Sequence, residues 1–155
     1  MPSVRVLPAT LAGRRVRVGD RDGFAVAVTT AGELILRLPA DAPGFRRRLR
    51  DWGCVILPGR PGPVRRTLAH GTAFQLKVWQ ACRRIPAGRT MTYGELARAV
   101  GCRSAQAVGS ALGANPLAVL IPCHRVVGAA GVGGFAWGLA RKRRWLQAER
   151  DGLAD

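Results

Sequence analysis

At 155 residues and 16.6 kDa, the chain can form one full domain or two small ones, with a core burying about 70% of the unfolded surface and a monomer as the expected state. Its net charge of +16, from 25 Lys and Arg against 9 Asp and Glu, favours a polyanion such as nucleic acid through counterion release, although only two of the cations are Lys and a GC-rich genome would account for part of the Arg excess. No run approaches the ~20 apolar residues of a membrane span, and MPSVRVLPATLAGRR lacks the basic, apolar, small-residue order of a secretory signal, so no membrane partner and a cytoplasmic location are expected.

In chain order, RVRV, GFAVAV and ELILRL are short apolar alternations separated by DRDG and TTAGE, which predicts antiparallel strands joined by turns. DAPGFRRRLRDWG has helical length, with Phe45, Leu49 and Trp52 apolar, and VILP returns as a strand. PGRPGPVRRTLAHGT then breaks every periodicity, so residues 58–71 read as a linker. This predicts an α/β (α+β) chain: a small antiparallel-sheet domain over 1–57, then a mostly helical domain over 72–155.

In the second half, FQLKVWQACRRI sets Phe74, Val78, Cys82 and Ile85 at helical spacing, and PAGR ends that helix. Thr92 and Glu95 form a T-x-x-E capping box that starts YGELARAV, with Leu96, Ala97 and Val100 on the buried side. Ser104 caps a second helix, AQAVGSALGA, whose Ala105, Val108 and Leu112 should pack inward while Gln106 and Ser110 face out. Two short helices across a Gly-containing turn fit a helix-turn-helix, but the pattern alone favours the far commoner helical hairpin; the positive charge makes the two readings comparable. The apolar run LAVLIP then delivers Cys123, His124 and Arg125, followed by the glycine-rich loop GAAGVGGFAWG. That loop neither follows a clear strand nor opens a helix at once, so it is not a dinucleotide loop. The last helix, LARKRRWLQAER, should turn Leu139, Trp145 and Leu146 inward against a basic outer face.

The four cysteines, Cys54, Cys82, Cys102 and Cys123, lie far apart, without zinc-site spacing or the density of a disulfide scaffold. No metal site is expected, although His70 and Cys54 could in principle contribute to one. A cysteine attacks as its thiolate, favoured when a neighbour accepts the proton or a positive charge stabilises the anion. His124 and Arg125 supply both possibilities, the histidine through a water if its ring points away from the thiol. Glu149 is the best-placed acid to orient the imidazole, one helical turn beyond Trp145. A buried structural Cys beside a surface His remains the plainer reading of the dipeptide alone.

The string IPCHRVV, preceded by Asn115-Pro116 and followed by a glycine-rich loop and GLARK, resembles the active-site signature of the O6-alkylguanine-DNA alkyltransferases, the methylated-DNA-protein-cysteine methyltransferases. FQLKVWQACRRIPAGRTMTYGELA resembles the segment leading into that family's helix-turn-helix, so the likeness runs from about Gly71 to Glu149. The resemblance implies irreversible, once-only transfer of an alkyl group from O6-alkylguanine, with O4-alkylthymine a further candidate, in double-stranded DNA to Cys123. In that scheme His124 is the base acting through water, Glu149 orients it, Tyr93 protonates the departing guanine, and Asn115 braces the turn before the active site. The damaged nucleotide would be turned out of the stack, with the second helix in the minor groove. DNA contacts would come from Arg103, Ser104, Ala105, Gln106, Ser110 and Arg125, and the pocket from Val126, Gly134, Phe135 and Trp137. No metal or organic cofactor is needed, since protonation activates the leaving group and deprotonation the nucleophile.

Two positions depart from the family pattern. Gln106 stands where an arginine usually fills the gap left by the extruded base, which predicts weaker extrusion unless Arg103 substitutes. Phe135 stands where tyrosine is frequent, so one pocket hydroxyl is missing. The competing readings are a lesion-sensing DNA-binding protein without chemistry, a Cys-His-Glu hydrolase, for which no oxyanion-hole motif is identifiable, and a plain transcription factor.

Overall fold

In the computed structural model, which describes residues 4–6 and 10–152, the DRDG signal becomes a tight hairpin between β2 (Arg15–Arg21) and β3 (Phe24–Thr29). Both loop residues have positive φ, Asp22 at 53° and Gly23 at 82°, the backbone a two-residue hairpin turn requires. β4 (Glu33–Pro39) pairs antiparallel with β3, and Val26, Ala27, Val28, Ile35, Leu36 and Leu38 from these two central strands build the first core. α1 (Phe45–Asp51) buries Leu49. β5 (Val55–Ile56) adds parallel to β2 on one edge.

Two expectations change here. The sheet is mixed, not antiparallel throughout, with order β1-β6-β4-β3-β2-β5 in which β1 is Val4–Val6 and β6 is Arg66–Ala69. β6 lies parallel to both β1 and β4. It also lies inside the stretch read as a linker: Thr67, Leu68 and Ala69 are buried in the sheet although flanking Pro and Gly mask their alternation. Preceding Pro and Gly residues are tied to β2, where Arg17 Nε donates to Pro58 O at 3.1 Å and Arg21 Nη2 to Pro61 O at 2.8 Å.

The chain divides into two compact units, the first running to Thr72 and including Pro116–Ala118, the second comprising Ala73–Asn115 and the chain from Val119 onward. In the second unit α2 (Ala73–Arg83) buries Leu76, Val78, Trp79 and Cys82, while Phe74, expected on the same apolar face, is 37% exposed. A two-residue strand, β7 (Met91–Thr92), leads into α3 (Tyr93–Ala99), which starts at the Thr92–Glu95 capping box: Glu95 N donates to Thr92 Oγ1 at 3.1 Å and Thr92 N to Glu95 Oε1 at 3.2 Å. Ser104 caps α4 (Ala105–Gly113) by accepting from Ala107 N at 3.1 Å. Trp79 Nε1, fully buried on α2, donates to Ala111 O at 2.8 Å and locks α2 against α4. A 3-10 turn (Cys123–Arg125), β8 (Val126–Val127), parallel to β7, and α5 (Leu139–Arg150) complete the unit. No helix among the described residues is long and apolar enough to cross a membrane.

Candidate active site

The 3-10 turn places Cys123, His124 and Arg125 on three successive buried positions, and α5 brings Lys142 and Glu149 to them from two turns of one helix face. Relative exposures of 6% for Cys123, 2% for His124, 3% for Arg125, 0% for Lys142 and 7% for Glu149 put five polar or ionisable groups inside the protein, where each must find partners.

Glu149 is shared between the two residues that follow the cysteine. Its Oε1 pairs with His124 Nε2 at 2.5 Å, and its Oε2 accepts from both Nε (2.8 Å) and Nη2 of Arg125. Arg125 Nη1 donates to Ile85 O at 2.7 Å, so the guanidinium is fully engaged within the fold. This corrects its assignment as a DNA contact: sequence adjacency to the cysteine concealed that the side chain turns inward to the acid on α5. Burial alone would raise the Glu149 pKa, but the bonds from Arg125 and the His124 ring outweigh it and hold the carboxyl below its usual value. An ionised carboxylate can only accept, so His124 Nε2 carries the proton and Nδ1 presents a lone pair. Burial keeps the His124 pKa below its ordinary value despite Glu149, so the ring is a neutral base near pH 7. Nδ1 is buried with no partner among the described residues. Trp145 braces the ring edge-on, with centroids 5.4 Å apart.

Asn115, fully buried just beyond α4, donates from Nδ2 to Ile121 O at 2.7 Å and to Cys123 Sγ at 3.1 Å. Burial pushes the Cys123 thiol up to about 11, against the opposing pull of the Asn115 bond and the nearby Lys142 ammonium. The resting group is therefore a thiol whose proton must leave as it attacks.

A cavity of about 250 Å³ opens onto Cys123, lined by Tyr93, Gly109, Leu112, Gly113, Gly134, Phe135 and Ala136. Gly109 and Gly113 present bare backbone from α4. Tyr93, the first residue of α3, donates its hydroxyl to Gly134 O at 3.1 Å, and its pKa is raised by burial and by Cys123. Gly133, at φ +76°, is the tightest point of the loop: an added Cβ would stand 2.9 Å from both Gly128 N and Tyr93 Cε2.

Lys142 was missed by sequence reasoning. Its Nζ donates to Val126 O at 2.6 Å and Gly134 O at 2.9 Å, and lies 3.5 Å from the Tyr93 hydroxyl. Burial lowers its pKa to about 8, partly offset by Cys123. The last helix was expected to turn Leu139, Trp145 and Leu146 inward against a basic outer face, whereas Leu139 is 41% exposed and Lys142 takes an inner position. The available signal was its identity, one of two lysines in an Arg-rich chain.

Of the other predicted pocket residues, Gly134 and Phe135 line the cavity but Val126 and Trp137 do not. Val126 is buried behind the site, where its carbonyl anchors Lys142, and Trp137 packs edge-on against Phe135 at 5.2 Å. Arg103, Ser104, Ala105, Gln106 and Ser110 are all exposed around α4; Ala105 was expected to pack inward, but its place in the first turn leaves it in solvent. Cys54 and His70 form no metal cluster, and none occurs among the described residues.

The domain described as "6-O-methylguanine DNA methyltransferase, DNA binding domain" matches residues 73–151. The chain is 51% identical over 144 residues to the "Bifunctional transcriptional activator/DNA repair enzyme Ada" of Escherichia coli, covering 88% of this chain and 39% of that protein. It is 49% identical over 82 residues to a "Methylated-DNA--protein-cysteine methyltransferase" of Mycobacterium bovis, covering 52% of this chain and 50% of that one. It thus spans half or less of the length of these curated relatives. Among solved structures, Mycobacterium tuberculosis OGT in complex with DNA superposes with a TM-score of 0.68 at 30% identity, covering 88% of this chain and 93% of that one.

Proposed function

Because the chain belongs to the 6-O-methylguanine DNA methyltransferase family, we propose that it repairs double-stranded DNA by direct reversal, moving an alkyl group from O6 of guanine to Cys123 once per molecule. The observation that carries this reading is the buried Glu149–His124 pair, which leaves a free lone pair on Nδ1 of the residue that follows Cys123 in the chain, with Cys123 itself lining a cavity. In the proposed step the Cys123 proton passes through a water to His124 Nδ1, the sulfur attacks the alkyl carbon, an S–C bond forms and the O6–C bond breaks. Tyr93 supplies a proton to the departing base, so that neutral guanine leaves. Asn115 Nδ2 orients the sulfur and Lys142 fixes the wall that holds Tyr93. Since a thioether is not reversed by thiol exchange, the protein is a stoichiometric reagent.

Exposed residues of α4, among them Gln106 and Ser110, with Arg103 and Ser104 before the helix, are proposed to meet the DNA. Because the target atom is inaccessible in a stacked duplex, the base would have to enter the cavity extruded. Four free cysteines fit a reducing compartment, and we place the protein in the cytoplasm.

Incubation with a duplex containing O6-methylguanine, followed by peptide mass spectrometry, tests the reading. One methyl group per protein on the peptide holding Cys123 is the expected result, with Cys123→Ala binding the duplex but remaining unmodified. Wild-type protein that binds the lesion and stays unmodified would instead make it a lesion sensor.

A further inference from the structure

The segment that joins α4 to Cys123 contains a strained residue held from both sides. Val119 has φ +70°, the left-handed region that a β-branched side chain rarely enters and keeps only where its surroundings over-determine it. On its N-terminal side Leu117 forms a parallel bridge to Arg37 of β4: Arg37 N donates to Pro116 O and Ala118 N to Arg37 O, each at 2.8 Å. Arg37 adds a third bond, from side-chain Nη1 to Ala118 O at 2.6 Å, and its guanidinium is aimed by stacking 3.7 Å over the centre of the Phe24 ring. On the C-terminal side Arg83 Nε donates to Leu120 O at 3.2 Å, and Asn115 reaches Ile121 O and Cys123 Sγ.

We infer that Arg37 is a positioning residue for Cys123: its bond to the carbonyl before Val119 holds that residue in the left-handed conformation and so keeps residues 120–123 in register with Asn115. If Val119 relaxes to the right-handed or extended region, the peptide that follows it rotates, and the sulfur, four residues on, moves away from Asn115 Nδ2. Arg37 touches no reacting atom and acts only through the chain. The kinetic part of the inference rests on the alkyl-transfer reading; the conformational part does not.

The test uses Arg37→Met, which keeps the backbone bridge and removes the guanidinium, alone and combined with Val119→Gly, for which φ +70° is unstrained. Single-turnover methyl transfer by R37M should fall about tenfold, the effect of one charge-assisted hydrogen bond, with duplex affinity unchanged. Iodoacetamide labelling of Cys123 in the free protein, read by peptide mass spectrometry, should quicken as the thiol loosens. R37M/V119G should return both rates to within about twofold of wild type, a restoration that lost stability alone would not produce. If thermal denaturation finds R37M unfolded at the assay temperature, Arg37→Lys replaces it, with a smaller effect of the same signs. Wild-type transfer and labelling in the Arg37 variant, or a defect that V119G leaves in place, would overturn the inference. Wild-type protein that never accepts a methyl group defeats the functional reading instead, and the labelling comparison still decides the role of Arg37.

Discussion

Glu149→Gln removes one negative charge and leaves Arg125 buried with a single strong acceptor, Ile85 O. The carboxylate receives bonds from His124 Nε2 and from Arg125 Nε and Nη2, so the substitution strips a guanidinium that is 3% exposed of its counter-ion. Breaking a buried pair from one side costs about 3–5 kcal/mol. At roughly 2–4 °C per kcal/mol for a protein of this size, Tm should drop by about 6–20 °C. Thermal melts followed by circular dichroism, with urea titrations to give the free energy directly, measure the effect. Arg125→Met/Glu149→Gln removes both charges and should recover about 2 kcal/mol or more relative to the sum of the single variants. A Glu149→Gln protein within about 1 kcal/mol of wild type, or a double variant at the simple sum, would refute the shared-carboxylate account.

The same carboxylate predicts acid sensitivity: its folded pKa lies below the usual 4.5, so its contribution is full above that value and is lost as pH falls through the lower folded value, and melts of wild type and Glu149→Gln should converge in acid. Methyl transfer should hold as pH is lowered to the usual histidine value of 6.5 and fall below it as the depressed His124 ring gains its proton; a rate that instead falls already between pH 8 and 7 would remove His124 as the base. Tyr93→Phe should slow single-turnover transfer by about 10- to 100-fold with binding retained, the range for loss of a general acid. Lys142→Met should unpin Val126 O and Gly134 O and slow transfer by about tenfold or more, without changing the pH at which His124 titrates. Gly133→Ala should lower stability by about 1–3 kcal/mol through left-handed strain and the clash with Tyr93, whereas Gly131→Ala, with open space around it, should lie within about 0.5 kcal/mol of wild type.

Local signals carried much of this fold. The Asp22-Gly23 turn, the Thr92–Glu95 box and the Ser104 cap each depend on residues within a few positions, and each forms where the spacing puts it. β6 escaped because its strand character comes from neighbours on both sides, β1 and β4, and not from its own pattern. Within the site, the positions of Cys123, His124 and Glu149 followed from motif and helical phase. Arg125 and Lys142 did not: an Arg or Lys in a basic stretch reads as a solvated cation, and only the carboxylate and carbonyls supplied from distant segments turn it inward. The role of Pro116–Ala118 beside β4 was similarly invisible, since a bridge to a residue some 80 positions earlier leaves no periodic trace.

On the proposed reading the protein is a reagent used once, and such a reagent must also survive unused. Burial pushes the Cys123 thiol up to about 11 from the ordinary 9.0, so that less of it is thiolate at neutral pH than in an unperturbed cysteine. Peroxide and stray electrophiles, which consume thiolates, therefore find little to attack while the protein waits. The burial that keeps this cysteine a thiol at rest gives it a shelf life and, in the proposed step, leaves its single reaction to the moment when an extruded base and the His124 lone pair meet it together.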